Sequence, residues 1–143
     1  MTTLNGRPID WRTVDVLLRD LTGRPYRRGA RGPDAFDCWG LVLEARRRLG
    51  LALPPDIASL DLTRADVRAL FHAERPAGWV RVEPRLGAIA LAEDAAHAGV
   101  LVGLRVLHTQ ARAGVVAWTL GHWAANFGGL DCWEARGGEG THG

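Results

Sequence analysis

The chain has 143 residues, 47% of them hydrophobic and 24% charged, which is the size and make-up of one folded domain and excludes wholesale disorder. Its formal net charge is only +2, with 18 basic and 16 acidic residues spread along the sequence, so a strongly basic nucleic-acid binder is not supported. No run approaches the ~18 continuous apolar residues of a membrane-spanning helix, and the start at Thr2, Thr3 and Asn5 shows no Sec signal, so synthesis in the cytoplasm without membrane contact is expected.

The first element reads as a helix from Asp10 to Leu21. Asp10 serves as its cap, and Trp11, Val14, Leu17, Leu18 and Leu21 recur at helical spacing. A turn-rich basic stretch follows, carrying Arg24, Pro25, Tyr26, Arg27, Arg28, Arg31 and Pro33. A second helix is expected from Asp37 or Cys38 to Leu49, ending at Gly50. Leu41, Val42, Ala45 and Leu49 form its apolar face, and Glu44, Arg46, Arg47 and Arg48 its solvated one. A third, shorter helix is expected from Thr63, with Val67, Leu70 and Phe71 inward.

From Gly78 the period changes to two. Short strands are expected around Trp79 to Val82, Ile89 to Leu91, Ala98 to Val102, Arg105 to His108 and Val115 to Trp118. Helices first and strands later point to an α+β fold, an antiparallel sheet with helices packed on one side. Residues 1–136 form a single domain, and the Gly-rich tail 137–143 is expected to fray.

Chemistry concentrates at Phe36-Asp37-Cys38-Trp39-Gly40-Leu41-Val42. A cysteine there faces free backbone N–H groups and the positive end of a helix dipole, which favours the thiolate and lowers the thiol pKa. A nucleophile and a buried structural cysteine both fit this position. Of the histidines, His72 falls on the third helix and His142 in the tail. A two-residue turn at Gly103-Leu104 sets Gly99 opposite His108 and puts His97 diagonal to His108 on the same face. That suits a base and the group that orients it. A turn of odd length would send them to opposite faces.

Other features are weaker. Asp131-Cys132-Trp133 echoes the first cysteine block without a Gly-Leu-Val helix after it, so Cys132 is expected to pack near the C-terminal strand, a Cys38–Cys132 disulfide being the other option. His72-Ala73-Glu74 is half of a zinc-deaminase pattern whose Pro-Cys-x-x-Cys half is missing. His97, His108 and His122 would bind zinc only if the strands gathered them, with no His-Glu-x-x-His pattern in support, so no metal or cofactor is expected. The basic residues are all Arg, which reads as GC-rich codon usage.

Pro25-Tyr26, Gly29, Phe36-Asp37-Cys38-Trp39-Gly40-Leu41-Val42, Leu49-Gly50, Leu53-Pro54, Gly87-Ala88-Ile89-Ala90-Leu91, His97-Ala98-Gly99-Val100 and Val106-Leu107-His108, in this order, resemble the NlpC family of bacterial cell-wall cysteine peptidases. The Trp after the cysteine is similar to its phage-tail branch. Size and Arg-only composition are similar to the tail peptidases of gene transfer agents, which are phage-like particles. The resemblance implies a papain-like α+β fold and cleavage of peptidoglycan stem peptides, typically at the γ-D-glutamyl–diaminopimelate bond. It makes Cys38 the nucleophile, His97 the general base and acid, and His108 the group orienting His97. Tyr26, Asp37 and Trp39 fall to the substrate and oxyanion side of the site. It implies phage or phage-like tail-tip and hub proteins as partners, loading into the particle tail, and action in the periplasm of a target cell. Two positions depart from the family pattern. Gly87-Ala88 stands where Gly-Asp is usual, expected to loosen the start of that strand, and His97-Ala98-Gly99 replaces His-Val-Gly. A tail-tip assembly role with little activity, and an amidase or acyltransferase of the same fold, are the alternatives.

Overall fold

The structure, a computed structural model, describes residues 3–4, 7–8, 10–54, 78–92 and 97–135. Strands β1 (Thr3–Leu4) and β2 (Arg7–Pro8) pair with each other in antiparallel fashion. Helix α1 (Trp11–Leu21) starts where Asp10 accepts the Arg12 N–H at 2.9 Å, and it buries Val14, Leu17 and Leu21 as the spacing predicts. Helix α2 (Cys38–Arg48) follows the basic loop. The helix expected from Thr63, and His72 with it, lies outside the described residues, as does the tail.

Six strands build the main sheet: β3 (Trp79–Val82), β4 (Ile89–Ala92), β5 (His97–Val102), β6 (Arg105–Gln110), β7 (Gly114–Thr119) and β8 (Asp131–Ala135). Their order is β3-β8-β4-β5-β6-β7, and every pairing is antiparallel. The α+β class holds.

One expectation about layering does not. A helix α3 (Leu120–Phe127) leads from β7 to β8 and packs on the face of the sheet opposite α1 and α2. Strand alternation explains why both faces need cover. Val100, Val102, Leu107 and Val115 point to α1 and α2, with Ile89, Leu91, Ala98 and Trp133 beside Trp39 and Val42 of α2. Ala88, Ala90, Leu101, Val106 and Cys132 point the other way and are closed over by Trp123.

Arg46 departs from its expected solvated role and is fully buried. Its Nε donates to Ala52 O at 2.8 Å, and its Nη1 to Gly87 O at 2.6 Å. Its two Nη groups fork onto the Glu134 carboxylate at 2.6 and 3.2 Å, and the guanidinium lies 4.9 Å from the centre of the Trp79 ring. A guanidinium has enough fixed donors to join four pieces of chain at once, which a lysine could not do. The same contact bears on Gly87-Ala88. Ala88 is fully buried, Gly87 N–H donates to Leu101 O at 2.7 Å, and Leu101 N–H donates to Ala88 O at 2.9 Å. The start of β4 is therefore tied down, contrary to the expected loosening.

Candidate active site

The loop before α2 folds back over that helix's own first turn. Phe36 N–H donates to Pro25 O at 3.0 Å, Arg27 N–H to Phe36 O at 3.2 Å, and Asp37 N–H to Ala30 O at 3.0 Å. Tyr26, half-buried, is bridged to Phe36 and so is held beside the backbone that leads into Cys38. The crossing needs Gly40: a Cβ there would lie 2.3 Å from Ala30 O, a backbone atom that cannot step aside.

Asp37 caps α2. Its Oδ1 accepts the Gly40 N–H at 2.7 Å and an Arg31 guanidinium N–H, also at 2.7 Å, and the side chain is buried. The carboxylate is thus engaged by the helix and by Arg31, and of the arginines in the basic loop Arg31 is turned inward.

Cys38 is the first residue of the helix and is half-buried against Trp39, Val42, Ala98 and their neighbours. Backbone N–H groups of Ala98 and Trp39 and the Arg31 charge favour the thiolate, as a helix terminus should. Burial, and next the Asp37 carboxylate, outweigh them and push the thiol up to about 11. The lowered pKa expected from position alone is overturned. At neutral pH the side chain is a thiol.

Ala98 is also the residue after His97, so Cys38 is brought to the start of β5. There the β5–β6 hairpin has the expected register, with Val100 opposite Leu107, Leu101 opposite Val106 and Val102 opposite Arg105. His97 Nε2 and His108 Nδ1 meet at 3.0 Å. Gly99 permits this approach. A Cβ on it would lie 2.8 Å from Val106 Cγ1, 2.9 Å from Leu107 O and 3.2 Å from His108 Cβ.

Burial holds His97 down at about 4. His108 is held at about 3, by burial first and then by the neighbouring charges of His97 and His122. Both imidazoles are neutral at pH 7, so the site rests without a thiolate–imidazolium pair.

The remaining sequence-predicted residues divide. Trp39 is only 2% exposed and sits in the core between α2 and the sheet, because the first turn of the helix rotates it onto Ile89 and Trp133. Its backbone N–H, by contrast, faces the Cys38 sulfur. Cys132 packs in the cluster closed by Trp123 of α3 while Cys38 packs in the cluster with Trp39 and Val42 of α2, and both are free, so no disulfide joins them here. His122 stacks on Trp118 at 3.9 Å, and among the described residues no group of three metal-binding side chains forms.

An aromatic wall surrounds the histidines. Trp118, Trp123 and Phe127 all have rings within 6.5 Å of His108, centre to centre. The Thr119 cap, the i, i+3, i+7 spacing of Leu120, Trp123 and Phe127, and the stop at Gly128 carry the signal for this helix.

Residues 23–129 match the NlpC/P60 family. Over 81 residues the chain is 33% identical to proteins named "Probable endopeptidase" from Mycobacterium bovis and Mycobacterium tuberculosis, a stretch covering 57% of this chain and 18% of theirs. It therefore spans under a fifth of the length of these curated relatives. A crystal structure from Staphylococcus aureus, described as similar to lipoprotein of the NLP/P60 family, superposes with a TM-score of 0.50 at 20% identity. That match covers 91% of this chain and 44% of the other.

Proposed function

Because the chain belongs to the NlpC/P60 family, we propose that it is a cysteine endopeptidase hydrolysing peptidoglycan stem peptides, with the γ-D-glutamyl–diaminopimelate bond as its substrate. The observation carrying this reading is the 3.0 Å contact of His97 Nε2 with His108 Nδ1 beside the strand residue that touches Cys38.

With thiol and imidazole both neutral at rest, the proton moves as the bond forms. The Cys38 sulfur attacks the amide carbonyl while His97 accepts its proton, and the carbonyl oxygen gathers negative charge facing the N-terminus of α2. His97 then gives that proton to the leaving amine. Water, deprotonated by His97, hydrolyses the thioester, releasing the acid and restoring the thiol. His108, kept neutral by its burial, meets His97 Nε2 through its Nδ1 at 3.0 Å and holds the ring in place throughout. Tyr26, on the segment bridged to Phe36, lines the substrate side.

The delivery route completes the proposal. The protein is loaded in the producing cell into a phage or gene-transfer-agent tail, docks on tail-tip or hub proteins, and cuts the wall in the target cell's periplasm. The Trp after the nucleophile and the Arg-only composition support this setting.

Digestion of purified sacculi followed by mass spectrometry of the muropeptides tests the reading. New γ-D-glutamyl and diaminopimelyl termini are expected, and none with Cys38→Ala. Equal digestion by Cys38→Ala sinks the peptidase, and release of other termini points to an amidase or acyltransferase. One observation favours an assembly role with little activity, namely the thiol pushed up to about 11. Full infectivity of particles carrying Cys38→Ala would establish it.

A further inference from the structure

The aromatic side chains around the histidine pair bear on where each imidazole carries its proton. The β6–β7 register sets Val106 opposite Trp118 and His108 opposite Val116, so Trp118 is diagonal to His108 on the same face. Its indole meets the His108 ring nearly perpendicular, 4.3 Å between centres. Trp123 meets the same ring at 5.0 Å, again near perpendicular, and lies almost parallel to His97 at 5.6 Å. His122 lies almost parallel to Trp118 at 3.9 Å.

His108 Nδ1 is engaged by His97, while His108 Nε2 is buried and has no hydrogen-bond partner among the described residues. One of the two nitrogens of a neutral imidazole carries a proton and the other a lone pair. Electron-rich ring faces attract an N–H and repel a lone pair. We propose that Trp118 is a positioning residue whose ring, with that of Trp123, holds His108 as its Nε2–H tautomer. Nδ1 is then the acceptor, His97 must carry its proton on Nε2, and His97 Nδ1 is left free to act as the base. The consequence for rate rests on the peptidase reading, whereas the tautomers themselves do not.

Nuclear magnetic resonance of protein carrying nitrogen-labelled histidine, in the unreactive Cys38→Ala background, reads the tautomers directly. His97 and His108 are both expected as Nε2–H, unchanged in Trp118→Phe and mixed in Trp118→Leu. In the Cys38 protein, Trp118→Leu should lower kcat roughly fivefold at unchanged KM, and Trp118→Phe should restore it. His108 found as Nδ1–H overturns the proposal even if no Trp118 variant folds, and so does a Trp118→Leu protein with unchanged tautomers. Correct tautomers without any hydrolysis leave the inference standing and remove the peptidase reading. Hydrolysis with the opposite tautomers does the reverse.

Discussion

His97 Nε2 and His108 Nδ1 stand 3.0 Å apart across the β5–β6 hairpin, diagonal neighbours on the face covered by α3. In the proposed mechanism His97 is the base, and a base ring free to swing loses its alignment with the thiol, so removing the partner should affect turnover more than binding. His108→Ala is expected to lower kcat by roughly two to three orders of magnitude with KM nearly unchanged. His108→Gln, which keeps an acceptor, should recover part of it. Steady-state kinetics on a purified muropeptide checks both.

The pH dependence follows from the same burial. His97 and His108 hold pKa values near 4 and 3, below the 6.5 of the unfolded chain, so between pH 6.5 and about 3 the unfolded state binds more protons. Stability present above pH 6.5 is lost as pH falls through that window. On the alkaline side the thiol is held near 11 against an ordinary 9.0, so stability declines again as pH rises from 9 to 11. Thermal unfolding across pH should show both slopes. The acid limb of kcat/KM should lie well below pH 6, because the base stays unprotonated there.

Asp37 raises the Cys38 thiol while capping its helix. Asp37→Asn keeps a capping oxygen and removes the charge, leaving Arg31 to favour the thiolate. Alkylation of Cys38 by iodoacetamide at pH 8 is expected to speed up. A slower reaction would show that the carboxylate is not what holds the thiol protonated.

Gly99 is the close-approach point of the hairpin. Gly99→Ala places a methyl group against Leu107 O and His108 Cβ, so the strands must part. A loss of about 1–3 kcal/mol is expected in denaturant titration, together with lost activity, because the displaced residue is His108.

Arg46 and Glu134 are both buried and joined by two hydrogen bonds across 88 positions of sequence. Glu134→Ala leaves the guanidinium without its counter-charge and should destabilise the fold by about 3–5 kcal/mol. Replacing both residues with apolar ones of similar volume should cost much less. Chemical denaturation of the single and double variants separates the two outcomes.

Local pattern in the chain was enough for α1, α2 and the β5–β6 hairpin. Helix period, an Asp cap and a two-residue turn act between near neighbours, and strand parity alone brought His97 and His108 to one face. The family blocks likewise pointed to Cys38 as the residue at the head of α2. What packs on what was not legible. β8 inserts between β3 and β4, α3 closes the second face, and Arg46 reaches Glu134 only once those strands are side by side. The thiol's high pKa belongs to the same class. A helix terminus is a local feature that favours the anion, but desolvation depends on how much of the remaining chain covers the sulfur. Proximity along the chain set the elements, and burial, which sums over distant segments, decided their charge states.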